Sequence, residues 1–484
     1  MITLYALIAS VRTFCGIIPA IGTSQKMLSL INSSDGGYVL TGYISPPLLV
    51  YVVKLDSLMN TTWSKIISGG SGNAVIQNFR GNYIVVGGYG LVMEIDPTGN
   101  ILWGKNIQVF SVSSRLGDSV ISGAFYSVIQ SPDSNYFLIG AARAFYEPDY
   151  PYTHIWIVRL DQNGNILWHS LYTPFLAGDA YGYRAYPTND SGFILISYKS
   201  GIIVSKFNKN GVHQFSRMID GYASNFYESS VVQAGNGYYY FSSRPSFGKM
   251  DSSGNILWMK QISSIDIRQI VPTYDKGYLI LGRYSLLSNP KIAIIKFDSL
   301  DQVEWARFLG DSAEPYSAVQ TPDSGFAIVG SQRMSGYYNI FFVKVDKNGD
   351  LCSPCGSAAF TPNLSDFSSF PYPTPYPIPF SDPLRIYSLG TVSDGNSIST
   401  LCFSSDISEV TSDLGVGLTL SCRKINVKYD GLYDLEIYGI DGRIIMKKRY
   451  HGDRTIDISN LRTGTYKLII KTNRGEVNHT FIKY

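Results

Sequence analysis

Along the first 356 positions the apolar residues come in short runs, most of them lacking the strict alternation of a half-exposed strand. Clusters of Asp, Asn, Gly and Pro separate the runs. Such runs, bounded by turn signals, predict short strands whose sheets are covered on both faces. The runs also repeat. An aromatic-led segment recurs as DGGYVLTG, GNYIVVGG, SNYFLIGA, SGFILISY, NGYYYFSS, KGYLILGR and SGFAIVGS, with lead aromatics Tyr38, Tyr83, Tyr136, Phe193, Tyr238, Tyr278 and Phe326. A second segment follows each one: KLDSLMNTTW, EIDPTGNILW, RLDQNGNILW, KFNKNGVHQF, KMDSSGNILW, KFDSLDQVEW and KVDKNGDLCS. Seven copies at a period of several tens of residues, each with four short β-type segments (A to D), predict an all-β chain whose residues 1–356 form a seven-bladed β-propeller.

EIDPTGNILW shows what the second segment does. Asp96 can cap a turn through its carboxylate, Pro97 presets the next dihedral, and Gly99 supplies the left-handed position of a hairpin between strands C and D. Trp103 then opens strand D, as do Trp63, Trp168, Trp258 and Trp305, with Phe215 in the fourth copy and Ser353 in the seventh. A tryptophan repeated at one position of a blade points to packing between blades. Calcium is the rival reading of DQNGN and DKNGD, but these loops lack the spacing and the distant Glu of an EF-hand, and no metal site is expected.

An open ring would leave unpaired strand edges. The seventh copy has no convincing strand D after KNGD, whereas SVRTFCG (10–16) aligns with WARFLG (305–310), so residues near 5 to 14 are expected to close the last blade. That closure would bring Cys15 toward Cys352 or Cys355. In an up-and-down blade the A-to-B and C-to-D turns share one face. The B-to-C and D-to-A connections share the other, where the long insertions at 111–125, 142–154 and 173–183 fall. Binding residues favour such loops. Tyr146, Tyr150, Tyr152 and Tyr181 are therefore the candidate ligand-binding residues, set against the alternative that they pack the loops onto their own blades.

Composition narrows the function classes. The chain has 484 residues, 45% of them apolar and 16% charged, and a net charge of +3. No basic stripe suits a phosphate backbone, so no nucleic acid is expected as a partner. No apolar run is long enough to span a bilayer as a helix, and no standard signal peptide is visible after Met1. The five cysteines and five histidines do not cluster, and no nucleophile elbow, HExxH helix or phosphate loop is present. No catalytic residue is assigned.

After residue 356 the composition changes. SDFSSFPYPTPYPIPFSDP (365–383) is rich in Ser, Pro and aromatics and reads as an extended linker. Residues 357–424 are expected to hold this linker and a poorly defined β segment, within which Cys402 and Cys422 could pair after export. From 425 to 484, alternation in YDLEIYGI and YKLIIKT with turns at Asp441-Gly442 and Asn473-Arg474-Gly475 predicts a small immunoglobulin-like β-sandwich.

Two resemblances follow from these motifs. The combination of GGY(I/V)…G with V-K-x-D…G-x-x-x-W, over roughly residues 14 to 356, is similar to delta-60-type repeats of secreted bacterial proteins, and EIDPTGNILW resembles the blade repeat of quinoproteins. The likeness lies in the blade framework alone, and no cofactor is expected. LEIYGIDGRII (435–445), LRTGTYKLII (461–470) and the terminal FIKY resemble the C-terminal sorting domain of the type IX secretion system of Bacteroidota. That resemblance implies Asp441, Gly442, Arg443, Gly464, Tyr466 and Lys483 as its motif. It also implies the secretion machinery as a partner and an extracellular or outer-membrane-surface location, with a start that either is incomplete or leaves the tail a relic. The expected function is an exported, non-enzymatic, monomeric propeller scaffold whose loop-rich face binds a glycan, peptide or surface partner. The alternatives are an extracellular hydrolase or lyase with carboxylates at the channel mouth, or a purely structural surface component.

Overall fold

The computed structural model describes residues 13–18, 23–113, 117–121, 123–147, 150–173, 179–198, 201–219, 229–243, 245–284, 290–310, 313–334, 336–351, 357–367, 372–373, 378–380, 384–388, 392–394, 399–404, 417–420, 424–439, 442–458, 460–461, 464–473 and 475–483. Among these residues the strands form nine sheets, and seven of them share one plan of four antiparallel strands. Sheet I is Ser24–Asn32, Tyr38–Ser45, Leu49–Leu55 and Thr61–Ser68. Sheet II is Gly72–Gln77, Tyr83–Gly87, Leu91–Ile95 and Ile101–Ser113, the last extended by a hairpin to Gly117–Ile121. Sheet III is Gly123–Gln130, Tyr136–Glu147, Tyr150–Leu160 and Ile166–Thr173. Sheet IV is Tyr181–Pro187, Phe193–Tyr198, Ile202–Phe207 and His213–Ile219. Sheet V is Val231–Gln233, Tyr239–Ser243, Ser246–Met250 and Ile256–Ile262. Sheet VI is Ile265–Pro272, Tyr278–Tyr284, Lys291–Phe297 and Val303–Leu309. Sheet VII is Ala313–Gln320, Phe326–Met334, Tyr337–Val345 and, from the other end of the chain, Thr13–Ile18.

The first strand of each sheet touches the first strand of the next, and that of sheet VII touches that of sheet I, a closed and propeller-like arrangement. Apolar side chains fill every junction. Between sheets VII and I, Met27, Tyr38 and Leu40 meet Ala327, Ile340 and Phe342, with Tyr38 edge-on to Phe342 at 5.6 Å. Equivalent clusters lie between I and II, II and III, III and IV, IV and V, V and VI, and VI and VII. This explains the missing alternation: in YVLTG (38–42) and YIVVG (83–87) every residue is buried, because each sheet has a neighbour on both faces. The lead aromatics are all buried. In the fifth copy the one opposite Gln233 is Tyr239, not Tyr238; Tyr238 is partly exposed beneath the Lys249 ammonium. A run of three tyrosines had hidden the phase.

Two polar devices repeat with the sheets. In the third strand a buried lysine reaches back to the Asp of the first turn and caps the carbonyl that follows it. Lys54 bonds Asp35 at 2.7 Å and Leu55 O at 2.9 Å; Lys206 bonds Asp190 and Phe207 O; Lys296 bonds Asp275 and Phe297 O; Lys344 bonds Asp323 at 2.6 Å. Arg159 and Asp133 repeat the pair in sheet III, whereas sheet II inverts it, with buried Glu94 held by Arg80, Asn78 and Asn82. The glycine before the lead aromatic makes room for this approach: a Cβ at Gly37 would stand 2.0 Å from Leu55 O and 2.7 Å from Lys54 Nζ. The second device is the C-to-D turn. Asp96 Oδ1 accepts the N–H groups of Thr98 and Asn100, and Gly99, in the left-handed region, lies against the Trp63 ring of the preceding sheet, whose indole N–H donates to Pro97 O. Gly164 on Trp103, Gly211 on Trp168, Gly254 on Phe215 and Gly349 on Trp305 repeat that contact between sheets.

Thr13–Ile18 is the fourth strand of sheet VII, a few residues later than the expected 5 to 14; residues 1–12 lie outside the described residues. Phe14 stands opposite Lys344 as Trp305 stands opposite Lys296, so the segment aligns with its siblings three residues away from the expected phase. An aromatic substitute for Trp, as at Phe215, was the missed signal. Cys15 is in register with Cys402, while Cys352, Cys355 and Cys422 lie outside the described residues.

The segment expected to be a free linker is instead a belt. Ser357–Ala359 adds an outer strand to sheet VI, Leu364–Asp366 to V, Tyr372–Pro373 to IV, Ile378–Phe380 to III, Leu384–Ser388 to II beside the Gly117–Ile121 hairpin strand, Val392–Asp394 to I and Ser399–Ser404 to VII. The belt thus passes the outer edge of every sheet once, in the reverse of chain order. Its prolines fit that place. Pro373 and Pro379 of its described strands carry no N–H, and proline is tolerated in a sheet at an edge strand, where a missing donor breaks no ladder.

The remaining two sheets lie in the C-terminal region. One has Gly417–Leu420, Lys424–Lys428 and Arg454–Asp457; the other has Ile444–His451, Leu432–Gly439, Gly464–Thr472 and Gly475–Lys483 in that order. Ile425 and Val427 of the first share a core with Leu435, Ile437, Leu468 and Ile470 of the second. The pairing of Gly417–Leu420 starts this unit earlier than the expected residue 425.

Two outcomes follow. A chain ending at residue 404 keeps the belt and one ending at 356 loses it; the shorter chain is expected to melt about 5 °C or more lower and to self-associate through its bared edges, as read by thermal denaturation and size-exclusion chromatography. The second concerns acid. Burial pushes the carboxyls of Asp35, Asp190, Asp275 and Asp323 up, but the lysine together with nearby hydroxyl and glycine N–H donors outweighs it and holds each below the usual carboxylate range. Their stabilisation is complete above about pH 4 and is lost as pH falls through the lowered folded-state values. Asp323→Asn removes the carboxylate partner of the buried Lys344 ammonium and is expected to cost about 2 kcal/mol at pH 7 in urea titrations. The gap to the parent should close as pH falls through the lowered folded-state value of Asp323, where that carboxyl is itself protonated.

Candidate functional site

Counting back four residues from the partner of each lead aromatic gives Leu28, Asn73, Tyr126, Tyr183, Ser229, Arg268 and Tyr316, one per sheet. In six of the seven sheets this residue is the extra one of a β-bulge; sheet V is the exception. A bulge leaves its extra residue unpaired and re-aims its side chain. The consequence is geometric: these seven residues and Arg184 line one small cavity of about 50 Å³. It forms the mouth of an axial channel of about 380 Å³ to which the first strand of every sheet contributes. The mouth lies at the starts of those strands, on the face that carries the D-to-A and B-to-C connections.

The next position holds the ring together. Ser29 Oγ accepts the Val75 N–H, Ser127 Oγ accepts the Ala185 N–H, and Gln269 Oε1 accepts the Ala318 N–H at 2.8 Å, each across a sheet junction. At the far end of the channel Gln77, Gln130, Gln233 and Gln320 accept turn N–H groups of the preceding sheet, and Asn32 donates to Gln320 O across the closing junction. The rest of the channel wall is mostly Val, Ile, Leu, Ala and Ser, with Tyr186 and Tyr274 among its aromatic members. No Asp or Glu is among the described residues lining channel or mouth. Arg184 donates to Tyr316 O at 3.2 Å, and burial together with the Arg268 guanidinium brings its pKa down to about 10. Around the rim Tyr183 meets Tyr126 at 5.6 Å and stacks on Tyr181 at 5.9 Å and 11°. Lys26 lies over Tyr316 and Tyr338.

Beside the mouth, on the same face, a groove of about 360 Å³ crosses sheets I to IV and is lined by Leu48, Tyr89, Tyr126, Arg143, Thr153 and Tyr181 among others. Tyr126 belongs to both spaces. Tyr89 is half exposed and left-handed (φ 54°, ψ 29°), a conformation that costs a bulky residue about 1 kcal/mol or more. Its ring lies over Gly70, where a Cβ would come within 2.9 Å of it. Nothing in the local fold requires a tyrosine at that strained turn.

Of the four expected binding residues, Tyr181 lines the groove. Tyr152 is half-buried on the sheet III hairpin opposite Ala144, and Asp179 docks the following loop by accepting the Thr153 N–H at 2.6 Å. Tyr150 pairs with Glu147 at the tip of that hairpin, but its side chain and that of Tyr146 lie outside the described residues. Tyr89, Tyr126 and Tyr183 were missed because they lie in a short turn and within strands. Variation at that strand position gave no signal by itself, because the preceding position varies as widely, through Met27, Gly72, Phe125, Gly182, Glu228, Ile267 and Pro315. In the C-terminal unit Gly442 and Arg443 form an exposed hairpin turn, with Gly442 N–H donating to Gly439 O. Tyr466 is a core residue, and Gly464 pairs with Lys483; Asp441 lies outside the described residues.

No curated protein matches the chain. Solved structures that resemble it include a Bacteroides caccae protein of unknown function (14% identity, 58% of this chain and 93% of that one, TM-score 0.36). Another is the extracellular domain of a hybrid two-component system from B. thetaiotaomicron (10% identity, 98% of this chain and 59% of that one, TM-score 0.44). A quinoprotein alcohol dehydrogenase-like protein from Bacteroides thetaiotaomicron is a third (12% identity, 59% of this chain and 65% of that one, TM-score 0.35). The propeller-like arrangement itself stands on the chain's own sheets. No helix among the described residues is long and apolar enough to cross a membrane. Residues 421–484 match the family model of a secretion system C-terminal sorting domain, so the chain carries a type IX sorting tail and is delivered to the cell surface or the extracellular space.

Proposed function

We propose that the chain is a seven-bladed propeller, belted at its rim by residues 357–404, which works outside the cell as a non-enzymatic scaffold and binds a glycan in the groove beside the channel mouth. The observation that carries this reading is the groove lining: tyrosines at 89, 126 and 181 around a glycine-rich floor, with Arg143 and Thr153 as polar contacts. Flat aromatic faces flanked by a few polar groups suit sugar rings, and the groove volume lies within the range of small-ligand sites. The enzyme alternative calls for paired carboxylates at the mouth, and the described lining offers guanidinium and hydroxyl groups instead. In domain terms we read 1–356 with 357–404 as one folded unit and the segment from about 417 onward as the sorting unit.

Glycan-array binding by the full chain tests this. A Tyr89→Ala/Tyr126→Ala/Tyr181→Ala variant is expected to lose most of the signal, and a Tyr146→Ala/Tyr150→Ala/Tyr152→Ala variant to keep it. Equal binding by the parent and the first variant would sink the groove assignment. Tyr89→Gly separates strain from function: relief of the left-handed conformation should raise stability by about 1 kcal/mol in chemical denaturation while weakening glycan binding. A variant that is both less stable and fully active would contradict the role given to Tyr89.

A further inference from the structure

We infer that the channel mouth is an oxyanion site that takes the carboxylate or sulfate of an acidic sugar whose ring lies in the adjoining groove; this rests on the glycan reading above. The mouth collects two guanidiniums, Arg184 and Arg268, and no carboxylate from its described lining. Glu314 is the acidic group nearest in sequence to Tyr316, and it is already engaged by Arg283 at 3.6 Å and by the Tyr316 hydroxyl at 3.3 Å. Two like charges facing one small space repel, and the lowered Arg184 pKa reports that repulsion together with burial. At about 10 it still leaves the group cationic at neutral pH. An anion between the two guanidiniums would relieve the repulsion in a setting where water screens little.

Size and donors narrow the ligand. About 50 Å³ admits a group of a few atoms, such as a carboxylate or a sulfate, and excludes a sugar ring. The planar fork of a guanidinium matches both oxyanions, and the Asn73 amide with the Ser229, Tyr126 and Tyr183 hydroxyls adds neutral donors. The ring attached to the anion has a place to go, because Tyr126 lines mouth and groove alike and the Tyr181–Tyr183 stack stands beside it. A bulge at the same point of six sheets is the structural means by which these side chains turn toward the axis.

Calorimetric titration of the full chain decides the matter with three probes: a galacturonate oligosaccharide, its methyl ester, and a sulfated galactan oligosaccharide. The acid is expected to bind at least tenfold more tightly than its neutral ester, and Arg184→Gln to erase that preference. Arg184→Lys, which keeps the charge without the fork, should retain part of the preference, and thermal midpoints for both variants guard against loss of fold. An Arg184-dependent preference for the sulfated probe over the acid would support the site and identify sulfate as its anion. Equal binding of acid and ester, or a preference that survives Arg184→Gln in a folded variant, would overturn the oxyanion site. The groove reading would survive that result if Tyr89→Gly still weakened both. No measurable binding of any probe would overturn both readings.

Discussion

A strand edge is a row of backbone donors and acceptors, and a ring of radial sheets has two such rows per sheet, one at the axis and one at the rim. The whole molecule is arranged around satisfying them. At the axis a fifth strand cannot fit, so side chains serve instead: Ser29, Ser127 and Gln269 reach across junctions to backbone N–H groups of the next sheet. At the rim there is room for strands, and residues 357–404 supply them one sheet at a time. The first and last strands of sheet VII come from chain segments some three hundred residues apart in sequence, and the belt ends on that sheet by pairing with Thr13–Ile18. Closure is therefore secured twice at the same place.

Within that frame the ion pairs and aromatics have separate tasks. The Lys–Asp pairs of sheets I, IV, VI and VII each tie a sheet's third strand to its own first turn, whereas each Trp–Gly contact ties a sheet to its neighbour's turn. The pairs are partly exposed on the Asp side and so contribute modestly, but the lysines are nearly inaccessible and would be costly to strand. Inversion of the pair in sheet II, where Glu94 is the buried partner and also accepts the Trp103 N–H, shows that the requirement is a satisfied charge at that point and not a lysine as such.

What could be read in the sequence depended on repetition. Seven copies made the strand phase, the turn chemistry of Asp96 and the inter-sheet role of Trp103 legible, because each local inference had six siblings to check it. The belt has no siblings. Its alternating prolines follow the ordinary signature of a linker, and only the presence of a rim to pair with distinguishes the two. The phase error at Phe14 has the same origin: a lone strand, detached from its repeat, was aligned on its glycine and not on its aromatic. The loop tyrosines were sought where insertions are long, and that preference named Tyr181, which lines the groove, but not Tyr126 or Tyr183, which lie inside strands.

The location of the proposed site follows from which repeat positions are already occupied with structural work. The lead aromatic is committed to the core, the glycine before it to the lysine, and the residue at the end of the first strand to inter-sheet hydrogen bonds at five of the seven sheets. The bulged residue makes no ladder pair and faces the axis, where neither neighbour constrains its chemistry. It varies through Leu28, Asn73, Tyr126, Tyr183, Ser229, Arg268 and Tyr316. Structural demands narrow the residue type from copy to copy, while a ligand, meeting all seven at once, needs them to differ. Variation at an aligned, inward-facing position is thus the trace a central site leaves in a repeat, and it is the reverse of the signal by which the repeat itself is recognised.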